Sequence, residues 1–292
     1  MKEIYPKTIL NPMKVYNKDL YRRYNMNIFR GCQHGCIYCN SRSNCYGIEE
    51  FDNVQVKMNA LDLFKKEISG KRRKGIICCG LMSDPYIPLE MELRLFRSIL
   101  EEIVKNDYGI FIITKSSNIV RDIDLFRKMK FVYILMTLTT VFDELAEKIE
   151  PFASKPSERL KAIKKLTENG INVGVAMIPI LPFIEDSDEN IRNIVNASHI
   201  CGAKNIFPVF GVKLRDRQRQ YYLSKLEKLF PGLKNVYTET YGDQHICYSK
   251  NNLSLWNVLK YETKKRNMRI MQHPYDVEFP RYEKEAEQLK LF

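Results

Sequence analysis

Apolar residues recur along the chain in two alternating styles. Short continuous runs have the length of buried strands: Gly75-Ile-Ile-Cys-Cys79, Gly109-Ile-Phe-Ile-Ile113, Phe131-Val-Tyr-Ile-Leu-Met136, Ile171-Asn-Val-Gly-Val-Ala-Met-Ile178 and Asn205-Ile-Phe-Pro-Val-Phe210. Between them lie stretches whose apolar positions share one helical face. Glu90 to Lys105 gathers Leu93, Leu95, Phe96, Ile99, Leu100 and Ile103, and Val120 to Met129 reads as the next helix. Ser157 opens another, carrying Arg159, Leu160, Ile163 and Leu166, and Asp188 to Cys201 suits a fourth. Gly170 stops the helix opened at Ser157, because glycine accepts the left-handed backbone that follows a helix C-terminus. Strands alternating with amphipathic helices imply a parallel sheet with crossover helices. The spacing predicts an α/β fold, a partial (β/α)6 TIM barrel over about residues 25–211, with 1–24 as an N-terminal extension. Such barrels place their chemistry on the loops leaving the C-terminal ends of the strands.

From residue 212 to 292 the alternation weakens. Arg215 to Phe230 reads as a basic amphipathic helix and Asn251 to Arg266 as another, with a loop-like stretch between them. With no flexible linker, this small basic appendage should pack on the barrel rather than fold alone. No apolar run has the length of a membrane span, and Met1-Lys-Glu-Ile-Tyr-Pro6 has no signal-peptide character. The expected location is a reducing cytoplasm, where eight cysteines stay free of disulfides. Charge adds a candidate partner. The 47 Lys and Arg against 35 Asp and Glu give +12, and residues 212 to 275 hold 13 of the former and 5 of the latter. Such a field favours polyanions, nucleic acid first, with a merely solvated basic surface as the alternative.

The chemistry is concentrated in Asn27-Ile-Phe-Arg-Gly-Cys-Gln-His-Gly-Cys-Ile-Tyr-Cys39, a C-x3-C-x2-C spacing with an aromatic residue before the last thiol. A [4Fe-4S] cube has four iron corners, so three clustered thiolates leave one iron open to another chelator. Gly31 and Gly35 would let the loop wrap closely around such a group. Two alternatives use the same residues: a structural zinc site completed by Cys45 or His34, and a four-thiolate electron-transfer cluster completed by Cys45.

The cysteine run closely resembles that of the radical S-adenosylmethionine (radical SAM) superfamily. It is similar in particular to the N-x-[YF]-R-G-C-x-H-G-C-x-Y-C opening of the spore photoproduct lyase family and its DNA repair photolyase-like relatives. Ser83-Asp-Pro-Tyr-Ile-Pro-Leu-Glu90 looks like the S-D-P-Y-x-P-x-E signature of that family. Thr114-Lys-Ser116, Arg121-Asp122, Glu150-Pro151, Glu158-Arg159-Leu160, Ile178-Pro-Ile-Leu-Pro182, Cys247-Tyr-Ser249 and Trp256 continue the pattern over nearly the whole chain.

The resemblance implies a barrel of the radical SAM type, with Cys32, Cys36 and Cys39 holding a [4Fe-4S] cluster. It implies that S-adenosylmethionine chelates the open iron. An electron from an external donor such as flavodoxin or ferredoxin then splits the sulfonium to a 5'-deoxyadenosyl radical. Tyr38 would lie against the cofactor, and Ser83 and Asp84 would accept hydrogen bonds from its amino group, or Asp84 would only cap the turn before Pro85. Lys115 would contact the cofactor or a substrate phosphate, or be an ordinary rim lysine, and Thr137 and Thr139 would address the ribose hydroxyls. The implied substrate is nucleic acid, for repair or modification. The rivals are a peptide or small metabolite treated by the same machinery, and a zinc- or cluster-stabilised nucleic-acid-binding protein that is no enzyme.

Two further features bear on partners and products. Authentic spore photoproduct lyases carry a hydrogen-donating cysteine where this chain has Leu81, which argues against thymine-dimer lyase activity. Cys79, two residues earlier, would share a strand face with Leu81 and is a candidate donor, with core packing as the alternative. Gln288-Leu-Lys-Leu-Phe292 resembles peptides that engage the DNA sliding clamp. Gln288, Leu289, Leu291 and Phe292 would then bind an apolar groove, unless the last two simply pack on the domain.

Overall fold

The computed structural model describes residues 1–13, 22–70 and 74–277. Six parallel strands form its centre: β1 (Arg22–Met26), β2 (Gly75–Cys79), β3 (Gly109–Thr114), β4 (Val132–Thr137), β5 (Asn172–Met177) and β6 (Asn205–Pro208). They lie side by side in chain order, as repeated βαβ crossovers require. Leu10–Pro12 extends the sheet antiparallel to β1, and Arg269–Ile270 extends it parallel to β6.

Strand alternation sorts the apolar residues into two cores. On the outer face Ile77, Cys79, Ile110, Ile112, Ile134 and Met136 meet helices α1 (Ala60–Ser69), α2 (Leu95–Lys105), α3 (Pro156–Glu168) and α4 (Asp188–Ile200). On the inner face Ile76, Cys78, Phe111, Tyr133, Leu135, Ala176 and Phe207 fill the lumen with Met271. The Tyr275 ring closes on this group, 4.9 Å from Phe111 and beneath the Arg23 guanidinium at 5.2 Å. These aromatics lie near the N-terminal ends of the strands. The opposite end of the lumen is lined by polar side chains.

The segments after the barrel are α5 (Asp216–Leu229), α6 (Leu233–Tyr241) and α7 (Asn252–Lys265), with Gly211–Lys213 pairing antiparallel to Ile246–Tyr248. Leu255 and Leu259 of α7 join the outer core. Val212, Leu214, Tyr222, Leu226, Tyr237, Tyr241 and Cys247 instead form a separate core with Cys36, Ile37 and Tyr38. Residues on both sides of the expected 25–211 barrel therefore share its sheet and its packing.

Three expected elements differ. Glu90–Lys105 is two helices, Pro88–Leu93 and α2, parted at Arg94, which takes φ 52°. The buried Glu90 carboxylate causes the break by accepting from Phe96 N at 2.9 Å and Arg97 N at 3.2 Å, which caps the new helix start. Val120–Met129 keeps only a turn of α-helix, Ile123–Phe126, after the 3-10 segment Ser117–Asp122. The loop-like stretch before 251 contains α6. Its Tyr and Thr residues are weak helix formers, and burial of Tyr237 and Tyr241 overrides that weakness. Gln288–Phe292 lies outside the described residues, among which no helix is long and apolar enough to cross a membrane.

Candidate active site

The cysteine loop leaves the C-terminal end of β1 and is stitched down on three sides. Gly31 sits at φ +84°, and a Cβ there would lie 2.3 Å from Phe51 O, so only glycine fits the close approach that lets Cys32 N reach Phe51 O at 3.3 Å. Ile37 N donates to Ile149 O at 2.9 Å, and Phe152 N donates to His34 O at 3.1 Å. From α5, Gln218 Nε2 donates to Tyr38 O at 3.1 Å, and Asp216 accepts from Ser43 Oγ at 2.8 Å and Asn44 N at 3.1 Å. Arg217 donates to Arg42 O at 2.6 Å.

Cys32 and Cys36 are buried, Cys39 is partly buried, and all three are free thiols. Burial, helped by the Asp84 charge, pushes the Cys32 thiol up to about 12, and burial pushes Cys36 the same way. Such thiols need a metal or cation to become thiolates. Among the described residues no three His, Cys, Asp or Glu side chains come together closely enough to hold one ion. Each thiolate of a cube takes its own iron. Cys45 is exposed with its Sγ 3.2 Å from Ser43 Oγ, while His34 Nδ1 faces Asp84 at 3.5 Å. Three thiols carried by one loop fit the three-thiolate corner of a cluster.

The turn after β2 forms the adjoining wall, and its polar groups are already engaged. Ser83 Oγ donates to Gly31 O at 2.6 Å. Asp84 Oδ1 accepts from Tyr86 N at 2.9 Å, Asp84 Oδ2 accepts from Lys115 N at 2.7 Å, and Thr114 Oγ1 donates to both at 2.8 and 2.9 Å. Two backbone N–H groups and the single Thr114 hydroxyl hydrogen thus serve the Asp84 carboxylate. Ser83 and Asp84 tie β2, β3 and the cysteine loop together, and Asp84 caps its own turn through Tyr86 N. Tyr86 OH donates to Asp122 at 2.9 Å and Arg121 pairs with Glu90 at 2.9 Å, so the rest of the signature is scaffold too.

Opposite this wall, three buried side chains interlock. Tyr38 OH and Arg159 Nη2 both donate to Glu150, and Arg159 also donates to Ser154 O at 2.7 Å and Thr137 O at 3.1 Å. Burial pushes the Glu150 carboxyl up, but the Arg159 and Lys115 charges and these hydrogen bonds outweigh it and hold it below its ordinary range. Lys115 Nζ stands 5.6 Å from the centre of the Tyr38 ring and has no hydrogen-bond acceptor among the described residues. Burial works against its charge, yet Cys36 and Glu150 hold its pKa above the ordinary lysine value. Sequence reasoning missed Glu150 and Arg159 as site residues. The signal lay in the Glu150-Pro151 and Glu158-Arg159-Leu160 fragments, which carried no assigned role.

At the ends of β4 and β5 lies a third group. Asn190 Nδ2 bridges Thr139 O at 2.8 Å and Glu185 O at 2.9 Å, while Asn190 Oδ1 has no hydrogen-bond partner among the described residues. Burial pushes the Glu185 carboxyl well up. Thr137 is buried with its carbonyl committed to Arg159. Cys79 is absent from the site. It is 2% exposed in the outer core among the helices, and Gly80 at φ +91° breaks the alternation that would align it with Leu81. Its expected place as a hydrogen donor is therefore corrected; the inner-face thiol is Cys78. Around the mouth, Leu81, Phe142, Phe152, Phe183 and Tyr248 are exposed.

The family model of the radical SAM superfamily matches residues 26–195, a span that begins at the end of β1 and covers the cysteine loop, Glu150, Arg159 and Glu185. The chain belongs to the radical SAM superfamily. Members are enzymes that need a one-electron donor, and a [4Fe-4S] cluster and S-adenosylmethionine are the cofactors of this radical SAM protein. An uncharacterized protein of Methanocaldococcus jannaschii is 35% identical over 187 residues, 63% of this chain and 69% of that one. A radical SAM Nalpha-GlyT isomerase of Pseudomonas phage M6 is 23% identical over 179 residues, 61% of this chain and 37% of that one. In fold the protein is similar to spore photoproduct lyase complexed with dinucleoside spore photoproduct. The TM-score is 0.65 at 14% identity, over 92% of this chain and 80% of that one. It is also similar to the radical SAM methyltransferase TsrM from Kitasatospora setae, with TM-score 0.56 at 12% identity, over 85% of this chain and 54% of that one.

Proposed function

We propose that this radical SAM enzyme repairs or modifies a nucleic acid, with Cys32, Cys36 and Cys39 holding the cluster. The observation that carries the substrate class is the ring of exposed Phe142, Phe152, Phe183 and Tyr248 around the barrel mouth, on a chain of net charge +12. Exposed aromatic faces on a chain with excess positive charge suit unpaired bases and their phosphates, because every base has a face to stack. The names of the phage isomerase and of the lyase bound to a dinucleoside photoproduct agree with this reading.

The cluster and S-adenosylmethionine together supply the 5'-deoxyadenosyl radical for hydrogen abstraction. The chain's own residues orient and enclose. Tyr38, pinned by Glu150, would lie against the cofactor, and Thr137 and Thr139 would address the ribose hydroxyls. The Lys115 ammonium stands 5.6 Å from the centre of the Tyr38 ring. A flavodoxin or ferredoxin would deliver the electron. Gln288, Leu289, Leu291 and Phe292 would tether the enzyme to a sliding clamp, raising its concentration on DNA without adding an active-site contact.

The test is binding of single-stranded oligonucleotides by cluster-loaded protein at several salt concentrations. Affinity should fall steeply with salt, and Phe152→Ala or Phe142→Ala should each weaken it by about 1–3 kcal/mol, the value of one base stack. Absence of binding at low salt, with a peptide or small metabolite incorporating deuterium from labelled 5'-deoxyadenosine, would move the substrate to that other class.

A further inference from the structure

The charges around the cysteine loop are unevenly matched. Arg159 is committed to Glu150 and to two backbone carbonyls. His34 Nδ1 faces Asp84 at 3.5 Å. Asp84 and Glu150 contribute negative charge on either side of the thiols. Lys115 remains as the cation with no hydrogen-bond acceptor among the described residues.

Its position is fixed from both ends. Its backbone N–H donates to Asp84 at 2.7 Å, directly after β3. The alternation that turns Phe111 and Ile113 inward turns Lys115 into the lumen as well. Its ammonium then rests over the Tyr38 ring, which the Glu150 hydrogen bond holds in place between Cys36 and Cys39.

Three thiolates outnumber the positive charge of the oxidised cube, so the loaded site is anionic and gains one more negative charge on reduction. A fixed cation in a poorly solvated lumen stabilises the reduced form more than the oxidised form. We infer that Lys115 is the counter-ion of the cluster and raises its reduction potential, a role distinct from binding the cofactor carboxylate or a substrate phosphate. The inference rests on the assignment of the cluster to Cys32, Cys36 and Cys39.

The decisive experiment is an EPR-monitored redox titration of the anaerobically reconstituted full-length protein, before any S-adenosylmethionine is added. Lys115→Met should lower the ratio of reduced to oxidised cluster about tenfold at fixed potential, a shift of roughly 59 mV to more negative values. Lys115→Arg should stay near wild type. If Lys115→Met holds too little cluster to titrate, Lys115→Gln and Lys115→Arg are compared by the rate at which a chelator strips iron. The glutamine variant should lose it faster and the arginine variant should not. An unchanged potential with weakened S-adenosylmethionine binding would make Lys115 a cofactor ligand and overturn the counter-ion role, as would equal chelation rates. A wild-type protein that assembles no cluster would overturn the cluster assignment itself, and the counter-ion role with it.

Discussion

The cysteine loop at 27–39 and the turn at 83–90 lie side by side at the mouth of the barrel, and they use polar chemistry in opposite ways. The loop commits its backbone, to Phe51, Ile149, Phe152 and α5, and leaves its three thiols free. The turn commits its side chains: Ser83 to Gly31, Asp84 to three residues, Tyr86 to Asp122 and Glu90 to the start of α2. A segment whose backbone is satisfied and whose side chains are not is built to receive something. One whose side chains bond to its neighbours holds those neighbours together.

The comparison can be broken most decisively at the thiols. Cys32→Ala, Cys36→Ala and Cys39→Ala should each abolish cluster assembly and S-adenosylmethionine cleavage, while Cys45→Ala leaves both intact, measured by iron and sulfide content and by 5'-deoxyadenosine formation. Loss of the cluster in Cys45→Ala would restore a four-cysteine site. The next largest effect is expected behind the loop. Arg159→Met leaves the Glu150 carboxylate buried beside Tyr38 without its main partner and should destabilise the protein by about 3–5 kcal/mol in denaturant unfolding. A change under about 1 kcal/mol would show that the pair is open to water.

Asp84→Asn sharpens the contrast from the other side. Removing the charge weakens the bonds from Lys115 N and Tyr86 N, so roughly 1.5–3 kcal/mol of stability should be lost. Cofactor affinity of the folded, cluster-loaded variant should change less than this. Wild-type stability with sharply weaker S-adenosylmethionine binding would return Asp84 to the cofactor.

The elements that could be read from sequence were those whose cause is local. Each strand of the barrel from β2 onward announced itself as an apolar run, because a strand buried on both faces has no polar alternation to blur it. The cysteine spacing was equally local. What escaped depends on partners distant in the chain. The break at Arg94 follows from a carboxylate that finds amides beyond the next turn, and α6 forms because Tyr237 meets Tyr222 and Pro182 O. The Glu150, Arg159 and Tyr38 group requires β1, β4 and α3 to be assembled first, so no window of sequence displays it.

The smallest expected effect concerns the paired thiols of β2, where one residue of register separates core from lumen. Cys79 packs among the helices and Cys78 faces Phe111 inside, although both are nearly inaccessible. Cys79→Ala removes one buried sulfur from a site that otherwise stays packed. It should lower stability by about 1 kcal/mol and leave the hydrogen isotope content of the product unchanged. The measurement is deuterium incorporation from solvent, since a thiol donor exchanges with water and would imprint that label on the product. Loss of solvent deuterium in Cys79→Ala, with turnover retained, would mean that the strand shifts its register during the reaction and brings Cys79 to the mouth. Equal incorporation in both proteins would keep Cys79 in the wall and leave the final hydrogen to a group on the lumen side of β2.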